Sequence, residues 1–435
     1  MERQAPWLLP DGVDELLPPQ AAQAEALRRR LIDLHTVWGY ELIMPPFVEF
    51  IEVLLSGTGH DLDLQTFKIT DQLSGRMLGV RPDITPQAAR IDAHQLRRPG
   101  VTRLCYLGSV LQARPEGPAG SRNALQLGAE LYGHAGIESD LEILSLMLET
   151  LRAAGLEALH LDIGHVGFFR TLSAQAGLDA RQEGALYDAL QRKAVDEMAD
   201  VLAQAGVGDA RLAERLASLA RLHGAADAVL AEAQGTLRGI DPALDQALAA
   251  LQRLADSLAR RAPWLDLCFD LGELRGYRYH TGLVFAAYVP DHPQEVARGG
   301  RYDGIGRAFG RPRPATGYST DLKTLLALGG GSAAAASAAG GGILAPWGED
   351  AALLEQVQRL RQQGERVVWQ LPPDRPEEPQ QRDDGGPKER QQRLGHESTR
   401  VEGTAEGTDE PVGPGEQGCD RRLVARNGRW EVEAM

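Results

Sequence analysis

Residues 275–306 hold the densest set of side chains that could recognise or transform a small molecule. The segment contains RGYRYHTGLVF followed by ARGGRYDGIG, which brings arginine, histidine and tyrosine side chains close together in strand-forming surroundings. Guanidinium, imidazole and phenol groups bind carboxylates and planar rings, and an imidazole or a phenol can also move a proton. We therefore predict the floor of a small-molecule pocket here, which either performs a reaction or senses a ligand.

Two other chemistries have less support in the sequence. The glycines at Gly299–Gly300 and Gly304–Gly306 lack the GxGxxG order of a dinucleotide-binding loop, so we interpret them as tight turns. His160 and His165 have no third metal ligand near them along the chain. The sequence therefore predicts neither a nucleotide loop nor a metal site.

Length and charge limit the class of protein. A chain of 435 residues with 43% hydrophobic residues is long enough for two or three globular domains. Its net charge of −15, from 46 basic and 61 acidic side chains, argues against a broad nucleic-acid surface, because phosphate binding needs clustered lysine and arginine. We expect no tRNA partner on this ground.

The sequence also bears on compartment and redox state. No apolar run is long enough to span a bilayer, and Met1 to Pro10 lacks the features of a signal peptide. Cys105, Cys268 and Cys419 lie far apart without CxxC spacing, which indicates reduced thiols rather than disulfides or zinc ligands. We expect a cytoplasmic protein without a membrane partner.

The elements that must position the pocket follow from periodicity. Residues 20–38 have apolar side chains at helical spacing, and residues 40–44 form a strand that Pro45-Pro46 ends. Thr85 is placed to cap a helix with Pro86 at its first position. Further predicted elements are a hairpin over 66–71 and 76–80, strands over 103–111, 125–132, 159–164, 265–271, 279–289 and 315–318, and helices over 138–154 and 321–328.

Composition divides the chain. Residues 1–328 form the predicted core, with an Ala- and Leu-rich helical insertion over about 177–261, and residues 329–342 form a Gly- and Ala-rich linker. Residues 343–435 form a small C-terminal α/β unit that ends in a hairpin over 423–432. Residues 372–418, which have almost no apolar side chains, are predicted to be disordered within it. The predicted class is α+β with a mostly antiparallel sheet.

Several motifs in a fixed order resemble those of histidyl-tRNA synthetase and its non-synthetase relative. The passage from Gly39 to Pro46 resembles the first class II synthetase motif, 106–108 with 126–133 resembles the second, and 317–325 occupies the place of the third. RGYRYHTG is similar to the RGLDYYTG stretch that holds histidine in that family, and GGRYDG matches the sequence before the third motif. The resemblance covers about residues 10–328. It implies a class II aminoacyl-tRNA synthetase-like antiparallel sheet flanked by helices.

The same resemblance implies a set of ligand contacts. In the family, acid and amide groups hold the α-amino group of histidine, an arginine lies near its carboxylate, and two aromatic residues surround its imidazole. Carboxylates and amide oxygens are suitable acceptors for an ammonium group. The histidine-binding residues implied for this chain are Asp83, Thr85, Gln126, Glu130, Arg275, Tyr279 and His280.

The chain departs from the synthetase pattern where ATP binds. The family has FRHERP where this chain has LQARP at 111–115, so the phosphate-binding arginine corresponds to Gln112. The third motif ends in GLER in the family and in DLKT at 321–324 here, so a second ATP arginine is replaced by Thr324. Lys323 is not a planar bidentate donor, and losing such donors costs orders of magnitude in rate.

A retained amino-acid pocket without the ATP arginines resembles the regulatory subunit of ATP phosphoribosyltransferase. The resemblance implies a non-catalytic chain that pairs with a short-form catalytic subunit in a hetero-octamer at the first step of histidine biosynthesis. It also implies L-histidine as the allosteric ligand for feedback inhibition, with no cofactor on this chain. The alternatives are a divergent histidyl-tRNA synthetase-like enzyme that activates an amino acid, and a tRNA-binding accessory protein.

The sequence is also consistent with structural roles for these residues instead of ligand binding. Gln126 and Glu130 alternate on a predicted strand and fit a solvated face. Arg275 fits an ion pair with Asp270 or Glu273. Tyr279 and His280 fit ordinary core packing.

Overall fold

The computed structural model describes residues 8–57, 60–115, 120–329, 341–371, 419–426 and 428–435. The chain divides into two compact units, Met1–Ala338 and Ala339–Met435. Residues 372–418 and most of the predicted linker lie outside the described residues, as does Asn427 in the predicted terminal turn.

Twelve strands of the first unit form two sheets. They are β1 Glu41–Leu42, β2 Val48–Phe50, β3 Phe67–Thr70, β4 Met77–Val80, β5 Thr102–Ser109, β6 Leu125–Tyr132, β7 His160–His165, β8 His223–Ala225, β9 Asp266–Asp270, β10 Leu283–Tyr288, β11 Ala297–Arg301 and β12 Ala315–Asp321. The large sheet has the order β1-β5-β6-β12-β11-β10-β7-β9-β8, and β2-β4-β3 form a small antiparallel sheet.

The helices of this unit lie singly or in runs between the strands along the chain. They are α1 Gln20–Val37, α2 Ile51–Leu54, α3 His60–Gln65, α4 Thr85–Arg90, α5 Ile137–Ala153, α6 Gly167–Gln175, α7 Ala180–Gln191, α8 Val195–Gln204, α9 Ala210–Ser218, α10 Ala226–Leu237, α11 Pro242–Arg261, α12 Ile305–Ala308 and α13 Leu322–Leu328. A π-helical turn, Ile91–Leu96, continues α4. None of the helices in the described part of the chain is both long and apolar enough to cross a membrane.

The large sheet confirms the predicted fold class. Its neighbouring strands are antiparallel except for the parallel pairs β1–β5 and β7–β9. Helix α5 buries Leu141, Leu144, Leu148 and Leu151, which helical periodicity places on one face, in the main hydrophobic core. This packing fixes the central strands, among them β6, which carries the predicted ligand contacts Gln126 and Glu130.

The predicted helical insertion contains α7 to α11 and one short strand that the sequence did not indicate. Helix α7 begins with a capping box in which the Asp179 side chain accepts from the Gln182 N–H and Gln182 bonds back to the Asp179 N–H. Strand β8 pairs with β9 and so joins the insertion to the edge of the large sheet. The insertion is thereby tied to the sheet rather than attached by two chain connections alone.

The described residues of the second unit form a four-stranded sheet with one helix. Its elements are β13 Gly342–Pro346, α14 Ala351–Gln362, β14 Val367–Gln370, β15 Cys419–Arg426 and β16 Arg429–Ala434, and the strand order is β14-β13-β15-β16. Parallel pairing of β13 with β14 agrees with the predicted strand-helix-strand arrangement. The terminal hairpin is longer than predicted, since its strands pair from Arg421–Ala434 to Arg426–Arg429.

Two local predictions were wrong. The strand predicted over 40–44 is only Glu41–Leu42. The last hydrogen bond to β5 runs from the Ile43 N–H to the Cys105 carbonyl. Pro45 and Pro46 follow Met44 and have no N–H to donate, so the strand pairing does not continue. Gly299 and Gly300 were interpreted as a turn, but both lie within β11. A Cβ on Gly299 would meet the Phe285 ring at 2.7 Å, so glycine here permits close packing across the sheet.

Candidate functional site

A cavity of about 920 Å³ opens over the large sheet of the first unit. Its wall includes six of the seven predicted ligand-binding residues, which are Asp83, Thr85, Glu130, Arg275, Tyr279 and His280. They come from β6, from the loop before α4 and its first turn, and from the turn before β10. The structure therefore brings together groups that are almost two hundred residues apart in the chain.

Glu130 lies at the bottom of this cavity on β6. Its side chain is buried, and its two oxygens accept hydrogen bonds from the hydroxyls of Tyr106, at 2.9 Å, and Tyr302. Burial, helped by the nearby Asp83 carboxylate, raises the pKa of Glu130 to about 8, although the hydrogen bonds from the two tyrosines act in the opposite direction. A solvated strand face, the structural alternative for this residue, does not describe it.

Gly317 makes room for this carboxylate. It lies opposite Glu130 in the β6–β12 register, and a Cβ built on it would overlap the Glu130 carboxylate and lie 2.8 Å from the Ala129 carbonyl oxygen. We expect Gly317→Ala to lower the free energy of unfolding by roughly 1–3 kcal/mol through overpacking. Urea denaturation measures this change.

A matched glycine substitution serves as the control. Gly235 lies inside α10 with nothing within 4 Å of its Cβ position, so Gly235→Ala is expected to stabilise the chain by about 0.5–1 kcal/mol. Equal denaturation midpoints for the two variants would contradict the assigned role of Gly317.

Asp83 is held in place by its neighbours. Its Oδ1 accepts from the Thr85 N–H at 2.9 Å and from Gln126 Nε2 at 2.7 Å. Gln126 Oε1 accepts from the Ile84 N–H at 2.9 Å, so both ends of this amide are engaged. Gln126 is not among the residues that line the cavity, and it acts on the site by orienting Asp83.

Thr85 does not cap α4, contrary to prediction. It is the first helical residue, Ile84 occupies the cap position, and no side chain caps this helix. The Asp83 carboxylate takes the Thr85 N–H instead. The Thr85 hydroxyl is therefore available to the site, where it lies 3.1 Å from the Tyr106 hydroxyl.

Tyr279 and His280 lie in a turn rather than on the predicted strand, which begins only at Leu283. The Gly276 carbonyl accepts from the N–H groups of both residues, at 2.7 and 2.8 Å. Gly276 has φ +63°, and a Cβ there would lie 2.7 Å from the His280 ring. The turn thus depends on a glycine in the left-handed region.

The aromatic groups of this turn pack as a layer over Glu130. Tyr279 stacks on Tyr302 with ring centroids 5.1 Å apart, and its buried hydroxyl has no hydrogen-bond partner among the described residues. His280 Nδ1 lies 3.3 Å from the Arg301 carbonyl, which can only accept, so Nδ1 carries the proton. Burial lowers the pKa of His280 to about 4. The ring is neutral at pH 7, and its Nε2 is left as an acceptor.

Arg275 lies at the other side of the cavity. Its guanidinium donates to the Tyr288 hydroxyl at 3.1 Å and lies 3.6 Å from Glu273 and 3.3 Å from Glu295. Of the two ion-pair partners considered from sequence, Glu273 is present, whereas Asp270 pairs with Lys193 at 2.6 Å. Arg275 is partly exposed and remains within reach of a ligand.

Helix α7 of the insertion forms part of the same wall. The Tyr277 hydroxyl donates to Glu183, and its ring lies 5.8 Å from that of Tyr187. Arg170 donates to the backbone carbonyls of Tyr277 and His280, both at 3.0 Å. The turn that carries the aromatic layer therefore touches the insertion directly.

Sequence reasoning did not assign the two tyrosines that hold Glu130. Tyr106 faces Gly128 across the β5–β6 pair, and a Cβ on Gly128 would overlap the Tyr106 ring and hydroxyl. The sequence does place a tyrosine and a glycine in the two strands of one motif. Only the strand register, however, shows that the two residues face each other. Tyr302 lies in GGRYDG, where its flanking residues are structural. Arg301 pairs with Asp140 at 2.9 Å, and Asp303 accepts from the Ala315 N–H.

The positions that correspond to the ATP arginines have other roles in this structure. The Gln112 carbonyl accepts from Arg122, and the Thr324 hydroxyl donates to Asp321 at the start of α13. Lys323 forms an ion pair with Asp14 at 2.8 Å. Among the described residues of these two motifs, no guanidinium occupies the positions of the family's ATP arginines.

Comparison with known proteins shows the family of this chain. A family model described as histidyl-tRNA synthetase matches residues 12–325, and one described as ATP phosphoribosyltransferase subunit HisZ C-terminal domain matches residues 340–383. The ATP phosphoribosyltransferase regulatory subunit of Alkalilimnicola ehrlichii is 56% identical over 366 residues, which are 84% of this chain and 90% of the relative. That of Stutzerimonas stutzeri is 50% identical over 429 residues, which are 99% of this chain and 98% of the relative.

Solved structures give the same result for the fold. An ATP phosphoribosyltransferase regulatory subunit/histidyl-tRNA synthetase from Bacillus halodurans has a TM-score of 0.71 at 28% identity, covering 85% of this chain and 94% of that one. Histidyl-tRNA synthetase from Nostoc sp. PCC 7120 has a TM-score of 0.65 at 17% identity, over 86% and 88% of the two chains, which shows the fold alone. With relatives 50–56% identical over most of its length and a class II synthetase-like fold, this chain belongs to the family of ATP phosphoribosyltransferase regulatory subunits.

Proposed function

We propose that this chain binds L-histidine in the cavity over Glu130 and carries feedback inhibition to a separate short-form catalytic subunit. In this proposal the two kinds of subunit assemble into a hetero-octamer in the cytoplasm. The complex catalyses the first step of histidine biosynthesis. Phosphoribosyl transfer takes place on the partner, and this chain takes part without binding tRNA.

The observation that carries the proposal is the buried carboxyl group of Glu130, which has no cationic partner among the described residues. In the part of the chain that the structure describes, no cation pairs with this buried carboxylate, and it faces the cavity. A buried carboxylate is stabilised as an anion by a matching cation. The α-ammonium group of an amino acid is such a cation, and Asp83 and Thr85 add further acceptors beside it.

The aromatic layer suits an imidazole side chain. The Tyr279 hydroxyl has unused hydrogen-bonding capacity, and the neutral His280 ring offers Nε2 as an acceptor. A ligand imidazole has one N–H donor and one acceptor nitrogen, so it complements such a pair. Arg275 would take the ligand carboxylate by exchanging one of its own carboxylate partners, and this exchange requires the turn before β10 to adjust.

Regulation then requires that histidine prefers one arrangement of the complex. A ligand shifts an equilibrium only by its difference in affinity for the two states. The Tyr277–His280 turn carries part of the aromatic layer and also contacts the insertion, through Glu183 and Tyr187, and α6, through Arg170. We propose that the contacts among Arg170, Tyr277 and Glu183 differ between the two states of the complex.

Isothermal titration of the purified chain with L-histidine tests the binding step. We expect one site per chain, and no measurable binding of L-leucine, which has no imidazole donor or acceptor. Titration of the complex with the short-form catalytic subunit, with phosphoribosyl transfer measured in parallel, tests the feedback step. Absence of histidine binding to both the chain and the complex would contradict the proposal.

Pyrophosphate exchange separates this function from amino-acid activation. Without the two ATP guanidiniums we expect no exchange above background when ATP and histidine are both present. A robust exchange signal would establish an amino-acid-activating enzyme instead.

A further inference from the structure

A second group of chemically active side chains lies on β7 and β9, and one of its members, Asp162, lines the same cavity as Glu130. His160 and Asp162 are two residues apart on β7, and Asp266 and Cys268 are two residues apart on β9. The parallel register pairs His160 with Asp266 and Asp162 with Cys268. Because alternate residues of a strand share a face, all four side chains project from the same side of the sheet.

The distances within this group are short. His160 Nε2 lies 2.7 Å from Asp162 Oδ1, and His160 Nδ1 lies 2.8 Å from Asp266 Oδ2. One ligand atom each from His160, Asp162 and Cys268 can be chosen so that all three lie within 4.8 Å of one another. Cys268 is a free, partly exposed thiol. A metal that replaces the hydrogen bond between His160 and Asp162 would therefore find a sulfur ligand beside it.

The carboxylate of Asp266 is placed to hydrogen-bond a metal-ligating His160 without contacting the metal itself. A histidine that ligates a metal through one nitrogen commonly donates its other N–H to a carboxylate, which fixes the ring. Asp266 has this relation to His160 Nδ1 when Nε2 is the ligand. Within the described residues, His160 is also the only ion-pair partner of Asp162 and Asp266, so one imidazole faces two carboxylates and a thiol.

We propose that His160 Nε2, Asp162 and Cys268 bind a divalent transition-metal cation of the zinc class, with Asp266 orienting the imidazole. Nitrogen, sulfur and carboxylate oxygen form a typical zinc ligand set, and three protein ligands leave one coordination position for water. The sequence alone did not indicate this site, because the third ligand is more than one hundred residues from His160 and only the sheet register brings it close.

Cobalt titration of the chelator-treated full chain tests the proposal. We expect one Co²⁺ per chain, with a near-ultraviolet thiolate-to-cobalt charge-transfer band that one equivalent of Zn²⁺ removes. Cys268→Ser is expected to abolish that band, whereas Cys419→Ser, which changes a thiol in the other unit, is expected to leave it unchanged.

A graded variant guards against misfolding of the thiol mutant. Asp266 is 74% exposed, so Asp266→Asn is expected to fold, and we expect it to lower metal affinity about 10- to 100-fold. The absence of the thiolate band in the wild type, its persistence in Cys268→Ser, or equal affinity of Asp266→Asn and the wild type would each overturn the proposal.

Discussion

Replacing Glu130 by glutamine is expected to weaken L-histidine binding by about 100-fold. The substitution keeps the shape of the side chain but removes the buried charge that we assign to the ligand ammonium group. A hydrogen bond to a charged group contributes about 1.5–3 kcal/mol, and losing one partner of a buried pair costs more. The upper part of that range corresponds to about a 100-fold change in the dissociation constant.

Titration calorimetry of the variant and the wild type checks this result. Glu138→Gln is the matched control, because Glu138 lies on the exposed start of α5 and pairs only weakly with Arg253 at 3.3 Å. We expect the control to bind histidine like the wild type and to support the same histidine inhibition in the complex. If Glu130→Gln binds histidine as tightly as the wild type, the proposed pair between Glu130 and the ligand ammonium group is wrong.

The same variant has a stability readout that does not depend on the ligand. The folded-state pKa of Glu130 is raised from its ordinary value of 4.5 to about 8, so the empty folded chain holds a proton that the unfolded chain releases between these values. The contribution of this group to the free energy of unfolding is therefore greatest below about pH 4.5 and is lost as the pH rises through 8. Glu130→Gln cannot lose that proton, so it is expected to gain stability relative to the wild type as the pH approaches 8.

The fold could be predicted largely from local signals. Long periodic segments such as α1 and α5 have a clear apolar stripe, and the strand over residues 125–132 matches the structure at both ends. Predictions failed where tertiary contacts decide the local structure. Strand β8 has only three residues and exists through pairing with β9, and Gly299–Gly300 lie in a strand because their neighbours need the space.

Part of the site could be predicted because its motifs are local in the sequence. The rest could not, because its geometry depends on contacts between distant segments. The sequence indicated Glu130 and Tyr279 through the family resemblance, and both line the cavity. It could not show that Gln126 faces Asp83, since that depends on how β6 packs against the loop before α4. The metal-like cluster was missed for the same reason, because its two halves are joined only by the β7–β9 register.

The proposed loss of the ATP half of the site and retention of its amino-acid half fit one physical account. Binding an amino acid needs complementary charge and hydrogen bonds, whereas activating it needs guanidiniums that stabilise charge developing on phosphate. Thr324 and Lys323 are engaged with Asp321 and Asp14, so these side chains help to fix the start of α13 instead. A chain of this kind can respond to an amino acid without transforming it.

Histidine binding is expected to release close to one proton per chain at pH 7. In the empty site the carboxyl of Glu130, with a pKa of about 8, is mostly protonated at this pH. The ligand ammonium group requires the ionised carboxylate, so binding must expel that proton, and affinity is expected to rise by up to about tenfold per pH unit below 8. Above pH 8 the carboxyl is already ionised, and this dependence is expected to fade.

Calorimetry in two buffers of different ionisation enthalpy measures the released proton directly. The measurement is made at pH 7 and above, so that the imidazole of free histidine, with an ordinary pKa of about 6.5, adds little to the count. At pH 7 we expect the apparent enthalpy to change with the buffer as one released proton requires, and at pH 8.5 to change much less. Equal apparent enthalpies in both buffers at pH 7 would mean that Glu130 keeps its proton state on binding, and the ammonium group would then have to bind elsewhere in the cavity, with Asp83 as the remaining carboxylate.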